Sequence, residues 1–417
     1  MPPTTTEESL QAEPSVRLRT ERDFLRLATA RFVSVIGNGL VRVALAFGML
    51  SLPHATPGRL SLVLTCQALP QVAFILVGGV IADRVRRSRL ILASEYTAGC
   101  AYALMALLIV TRHAPLLLLC LLAVISGTAS ALLYPALEGL LPLLVPRSAL
   151  QRANGALKTG TNIANLLGLG AAGSIVALAG AGWALAVNAL SFLISGLLMQ
   201  RIDLPRRPAP SNSSWADFRC GWREFRSRPW LWALTCQYAL VMAAVNATAG
   251  VLGPLVFHTH DHGARGARDW SLLVASQAVG SIAGTILASR SRFKRPMLVA
   301  NLAALPASLP MVLLAAAAPD PFTAAAMFLH GLSFSLYGVV WATTLQRHVP
   351  EATLSRVSSF DWLGSLSLAT AGLLAAGPYA ELTTPPTALV SCAILVVVAT
   401  SLCTAVPQVR RFADRAR

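Results

Sequence analysis

The sequence predicts an all-α integral membrane protein of twelve transmembrane helices in two pseudo-symmetric six-helix halves. Three observations predict it. Of 417 residues, 55% are apolar and only 12% charged, with a mean hydropathy of +0.61; that is too little charge to cover a soluble protein of this length. Apolar runs of about 20 residues recur along nearly the whole chain, each long enough to cross a hydrocarbon core of ~30 Å. The basic residues, finally, gather in alternate connections between those runs.

The first run, 24–51, follows a polar, arginine-bearing segment and has no small-residue cleavage site after it. It reads as a retained span and not a removed signal peptide. Five more follow at 59–81, 89–111, 115–144, 153–178 and 181–200. A second set lies at 230–257, 269–289, 296–317, 320–347, 356–378 and 386–406. Short connections make sequence neighbours antiparallel. The exception is 201–229, which carries Pro205, Pro208, Pro210 and a serine-rich stretch, then Trp215, Phe218, Trp222 and Phe225 at helical spacing against arginines. That pattern is an amphipathic helix lying on the membrane surface within a linker. The chain thus divides into a tail at 1–23, a half at 24–200, the linker at 201–229, a half at 230–406 and a tail at 407–417.

The net charge of +16 has to be placed before it is interpreted. With both termini on the cytoplasmic side, 28 of the 34 basic residues fall inside, Arg59, Arg112, Arg265 and Arg268 fall outside, and Arg31 and Arg42 lie within the first span. The asymmetry sets the orientation and makes anionic lipid the partner of the basic surface; nucleic acid is not expected as one. Seven cysteines are dispersed without a CxxC pair, as small apolar fillers would be. His258, His260 and His262 sit in an outer glycine-bearing loop that reads as solvated, so no metal site is expected. No P-loop, Ser/His/Asp arrangement or metalloenzyme spacing occurs, so neither an enzyme nor a cofactor is expected.

Gly79-x-x-x-Asp83-Arg84-x-x-Arg87 joins spans two and three, and Gly284 to Arg295 echoes it between spans eight and nine. The first stretch resembles the signature of the major facilitator superfamily. Over nearly the whole chain the resemblance extends to its drug and siderophore exporter branch, which includes enterobactin exporters and macrolide efflux proteins. Three stretches carry it: Ser34 to Leu45, Leu140 to Asn154, and Thr344 to Val357. The resemblance implies the major facilitator fold, a monomer in the bacterial cytoplasmic membrane, and halves that rock about a site near the midplane. It also implies a gating role for Gly79, Asp83, Arg84 and Arg87; Glu138, at the inner end of span four, is read as their relay partner or as a solvated end-of-helix acid. A carboxylate against a helix start is favoured by unsatisfied N–H groups and the helix dipole. The sequence departs from the family pattern at Arg86, in place of the usual loop glycine, and at Leu169, in place of the span-five proline of proton antiporters.

Ionisable groups within spans are costly and point to function. His330 lies about 15 Å deep in span ten, where an imidazole can exchange a proton near neutral pH, with Tyr337 and Trp341 nearby. Arg42 stands one turn from Asn38, placed to hold an anionic group or to snorkel. Glu95 and Asp361 lie within two turns of the inner face, as inner-gate charges or proton carriers. Asn162, Asn165, Gln237 and Asn246 offer neutral hydrogen bonds to a bulky organic ligand. The expectation is export of an amphipathic small molecule by proton antiport. Proton-coupled uptake and a membrane sensor or scaffold are the alternatives.

Overall fold

A computed structural model describes residues 14–84, 87–138, 140–145, 150–202, 222–223, 225–259, 263–291, 293–349 and 351–411. Its long helices are α1 (Pro14–Leu50), α2 (Pro57–Arg84), α3 (Arg87–Val110), α4 (Leu116–Glu138), α5 (Leu150–Ala179) and α6 (Ala181–Gln200). There follow α7 (Pro229–Thr259), α8 (Gly263–Arg290), α9 (Pro296–Ala315), α10 (Asp320–His348), α11 (Glu351–Leu382) and α12 (Pro385–Ala405). Among the described residues there is no strand, and eleven helices have the length and hydropathy of a membrane span. The twelfth long helix is α2, with 28 residues.

The helices differ from the expected spans where local chemistry intervenes. α1 starts at Pro14, ten residues before the expected span, so part of the expected tail is helical. α4 ends at Glu138, and Leu141–Leu144 forms a separate turn with proline at its start, where a missing N–H costs nothing. α9 is interrupted by a 3-10 turn at Leu305–Ala307, which contains Pro306 and is followed by Pro310, residues that lack backbone donors. α7 widens into a π-turn at Thr248–Leu252. Of the expected amphipathic linker helix, Trp215 and Phe218 lie outside the described residues. Trp222 stacks on Phe225 with ring centres 5.9 Å apart, and both meet Phe360 of α11, at 5.3 and 6.0 Å.

α1 packs on α5 and α6, α3 on α4 and α6, and α2 on α4. In the other half α8 packs on α10, α7 on α11 and α12, and α9 on α10 and α12. Lipid offers no hydrophobic drive between helices, so close backbone approach has to supply the attraction. One example is Gly280-x-x-x-Gly284 on α8, where a Cβ on Gly280 would overlap the Phe328 carbonyl of α10 and one on Gly284 the Leu332 carbonyl, while Gly331 of α10 lies as close to the Gln277 carbonyl of α8. The halves meet along two seams, α2 with α11 and α5 with α8.

The two faces of the bundle differ. On the distal face, where α1 joins α2, one apolar core runs across both halves, from Phe47 and Leu50 through Val251, Leu255, Phe257 and Trp270. Two hydrogen bonds pin α2 to α11 there. The Gly377 N–H donates to Ser61 Oγ at 2.7 Å, and the Gly58 N–H donates to Glu381 Oε1 at 2.7 Å. Phe47 also meets His258 edge-on, at 6.4 Å. Toward the proximal face, where α2 joins α3, the second half keeps its own core around Leu231, Trp341 and Val357, separate from that of the first. Among the described residues the halves therefore share a core distally and keep separate cores proximally.

Candidate functional site: a cavity between the halves and two buried carboxylates

α5 and α8 touch distally, where Gly173 lies against Ala267 and Ser271, and diverge toward the proximal side around a cavity of about 310 Å³. One wall is a face of α5 carrying Lys158, Asn162, Asn165 and Leu169, which helical spacing brings into line. The facing wall is Gln277, Ser281 and Thr285 of α8, spaced by four residues so that they also share a face. Arg42 of α1 closes the deep end, and Phe334 and Ser335 of α10 complete the lining. Gly39 of α1 lies against the Gly168 backbone, so Arg42 stands near residue 171 of α5 in height. At 1.5 Å per residue, Arg42 and Lys158 are about 20 Å apart along the bundle axis. Ser281 Oγ and Thr285 Oγ1 donate back to carbonyls of their own helix. The free hydrogen-bonding groups of the wall are therefore mainly nitrogen donors and amides.

Of the residues predicted from sequence, the structure brings Arg42, Asn162 and Asn165 together on this cavity. Asn38 is half-buried one turn below Arg42. The others lie elsewhere. Gln237 is buried in the second half, its Nε2 donating to Thr400 Oγ1 at 3.2 Å, beside Asn301, which donates to Thr404 Oγ1 at 2.7 Å. Asn246 donates to the Met242 carbonyl of its own helix. His330 is buried against Phe334, ring centres 5.9 Å apart, beside a cavity of about 20 Å³. The side chains of Gly79, Asp83, Arg84, Arg87 and Glu138 lie outside the described residues, as do His260 and His262.

Asp361 belongs to an aromatic column inside the second half. Thr235 Oγ1 donates to its Oδ1 at 2.6 Å and Trp341 Nε1 donates to its Oδ2 at 2.9 Å, so each oxygen has a donor. Tyr337 stacks on Tyr238 at 4.4 Å and on Trp341 at 6.3 Å, while Trp230 meets Trp341 edge-on at 6.1 Å. Tyr337 and Trp341 thus face the helix packing of their own half and not the cavity.

Glu95 of α3 is fully buried in the first half, between α1 and α6. Ser195 Oγ donates to its Oε1 at 2.8 Å, and Oε2 has no hydrogen-bond partner. Arg31 of α1 lies within electrostatic reach. The neighbouring Tyr96 hydroxyl, and elsewhere in the first half the Ser34 hydroxyl and the Asn188 amide, are also buried without partners. Sequence reasoning missed Lys158, Gln277, Ser281 and Thr285 as cavity residues. The polar stripe 277, 281, 285 on an otherwise apolar helix was the available signal.

The family model of the Major Facilitator Superfamily matches residues 27–372. The enterobactin exporter EntS of Citrobacter koseri is 26% identical over 406 residues, covering 95% of this chain and 94% of that protein. The EntS of Escherichia coli O1:K1 is 25% identical over 343 residues, covering 82% and 81%. Among solved structures, the nucleoside transporter NupG superposes with a TM-score of 0.73 at 15% identity, covering 94% of this chain and 99% of NupG. A bacterial homologue of the human lysosomal transporter Spinster, in an inward-facing, unoccupied conformation, gives 0.68 at 15% identity, covering 92% and 96%.

Proposed function

This chain belongs to the major facilitator superfamily, and we propose that, as a transporter of that family, it exports an amphipathic small molecule in exchange for protons. The observation that carries the reading is the cavity between halves whose described cores are joined distally and separate proximally, a geometry that suits alternating access. The charge count argues that the proximal face and both termini are cytoplasmic, so the cavity would load from the cytoplasm or the inner leaflet. Similarity to enterobactin exporters favours the outward direction.

In this reading the substrate sits against Arg42, Asn162 and Asn165, and the bare oxygen of Glu95 is the place for the exchanged proton. Gly79, Asp83, Arg84 and Arg87, with Glu138, would latch the proximal ends when the distal ends part. The protein acts as a monomer, its basic proximal surface against anionic lipid. Accumulation of a dye, a macrolide or a siderophore in cells with and without the gene tests the direction. Export requires higher accumulation in cells that lack it; lower accumulation would instead establish uptake, and no difference for any compound would refute transport of these classes.

A further inference from the structure

The cavity wall points to the charge of the substrate. Arg42 and Lys158 both open onto it, and neither has an ion-pair or hydrogen-bond partner for its side-chain nitrogens among the described residues. Asn162, Asn165 and Gln277 add three carboxamides whose side chains are likewise uncommitted there. Among the described residues no acidic side chain lines the cavity: Glu95 and Asp361 are turned into the interiors of their own halves. Two cations in a water-filled cleft with low-dielectric walls focus a positive potential that draws anions and repels cations. Both are exposed and solvated in the empty cavity, and a ligand that displaces that water has to neutralise them, which an anion does and a cation does not.

We propose that the cavity selects an elongated organic anion, with one acidic group at Arg42 and a second acidic or strongly hydrogen-bond-accepting group toward Lys158. The spacing sets the shape. A backbone separation of about 20 Å, shortened at each end by a long side chain, fits a ligand of two or more rings and not a single small carboxylate. The carboxamides and Phe334 between the cations suit the polar edges and apolar faces of such a scaffold. This inference rests on the cavity of the transport reading. It does not depend on the direction of transport or on its coupling.

The test is equilibrium binding to the full-length protein in nanodiscs, followed by fluorescence anisotropy with two xanthene dyes of similar size. Fluorescein carries a carboxylate and a phenolate, whereas tetramethylrhodamine ethyl ester is a cation. Fluorescein is expected to bind at least about tenfold more tightly, and Arg42→Gln and Lys158→Gln each to weaken it about tenfold while leaving the ester unchanged or bound more tightly. Arg42→Lys should keep most of the preference, and Lys158→Gln, at the exposed mouth, serves even if Arg42→Gln does not fold. Equal binding of the two dyes, tighter binding of the cation, no fluorescein binding, or fluorescein affinity untouched by both neutral substitutions would each overturn the proposal. Cells that show no export alongside anion-selective binding would refute the export reading and leave this one standing.

Discussion

Glu95 in α3 and Asp361 in α11 are both buried carboxylates, one in each half, and their surroundings differ oxygen by oxygen. Asp361 receives a hydroxyl on one oxygen and an indole N–H on the other, and it ties α7, α10 and α11 together inside a stack of tyrosine and tryptophan rings. Glu95 receives one hydroxyl and keeps one bare oxygen, next to the partnerless hydroxyl of Tyr96 in the sequence. An ionised carboxylate away from water is costly, and donors on both oxygens offset that cost. On the proposed coupling, the first half would supply the carboxyl with room for a proton, and the second half one whose two oxygens both hold helices together. The difference teaches that two buried carboxylates can be told apart by the donors on each oxygen, which is the distinction the predictions test.

The largest effect expected from this contrast is on stability. Asp361→Ala removes the acceptor for both Thr235 and Trp341 and leaves two buried donors unsatisfied beside a new void. The expected loss is about 3–5 kcal/mol, read from unfolding of the purified protein in detergent. Asp361→Asn keeps an acceptor for one of the two and should lose roughly half as much. Unfolding of Asp361→Ala at the wild-type midpoint would remove the structural role and erase the comparison.

Glu95→Gln is expected to do the reverse. Gln retains an acceptor for Ser195, so stability should stay within about 1 kcal/mol, while the pH dependence of transport in proteoliposomes disappears. An unchanged pH profile would take the proton away from Glu95. The pairing with Arg31 can be measured separately: Glu95→Gln and Arg31→Gln should couple by about 1–2 kcal/mol in a double-mutant cycle. Additive effects would mean that the two charges do not feel each other.

The sequence disclosed the helices much better than it disclosed this contrast, for a physical reason. A span is a run of about 20 apolar residues, a local property that survives without knowledge of neighbours. Where the helix ends were misplaced, as at Pro14 and Glu138, polar residues continue helices beyond the apolar run or a proline ends them within it. Side-chain partners are not local. Ser195 stands 100 positions from Glu95, and Thr235 stands 126 from Asp361. Gln237 and Asn162 look alike in sequence, yet one faces Thr400 within a half and the other faces the cavity between halves. Lys158 counted as one charge among 28 in the topology until α5 was seen against α8.

The smallest expected effect belongs to His330, and it sharpens the comparison because it lies in the second half. Its ring meets Phe334 and borders a cavity of about 20 Å³ shared with Gln277 and Met311, with no carboxylate on that lining. His330→Phe replaces one aromatic ring by a slightly larger one, and the adjoining space takes up part of the excess, so the cost should stay within about 1.5 kcal/mol. If the exchangeable proton resides in the first half, the pH profile of transport in His330→Phe should superpose on that of the wild type. Loss of pH dependence in His330→Phe, together with its retention in Glu95→Gln, would move the proton into the second half. The bare oxygen of Glu95 would then be a cost of packing, left without a role in coupling.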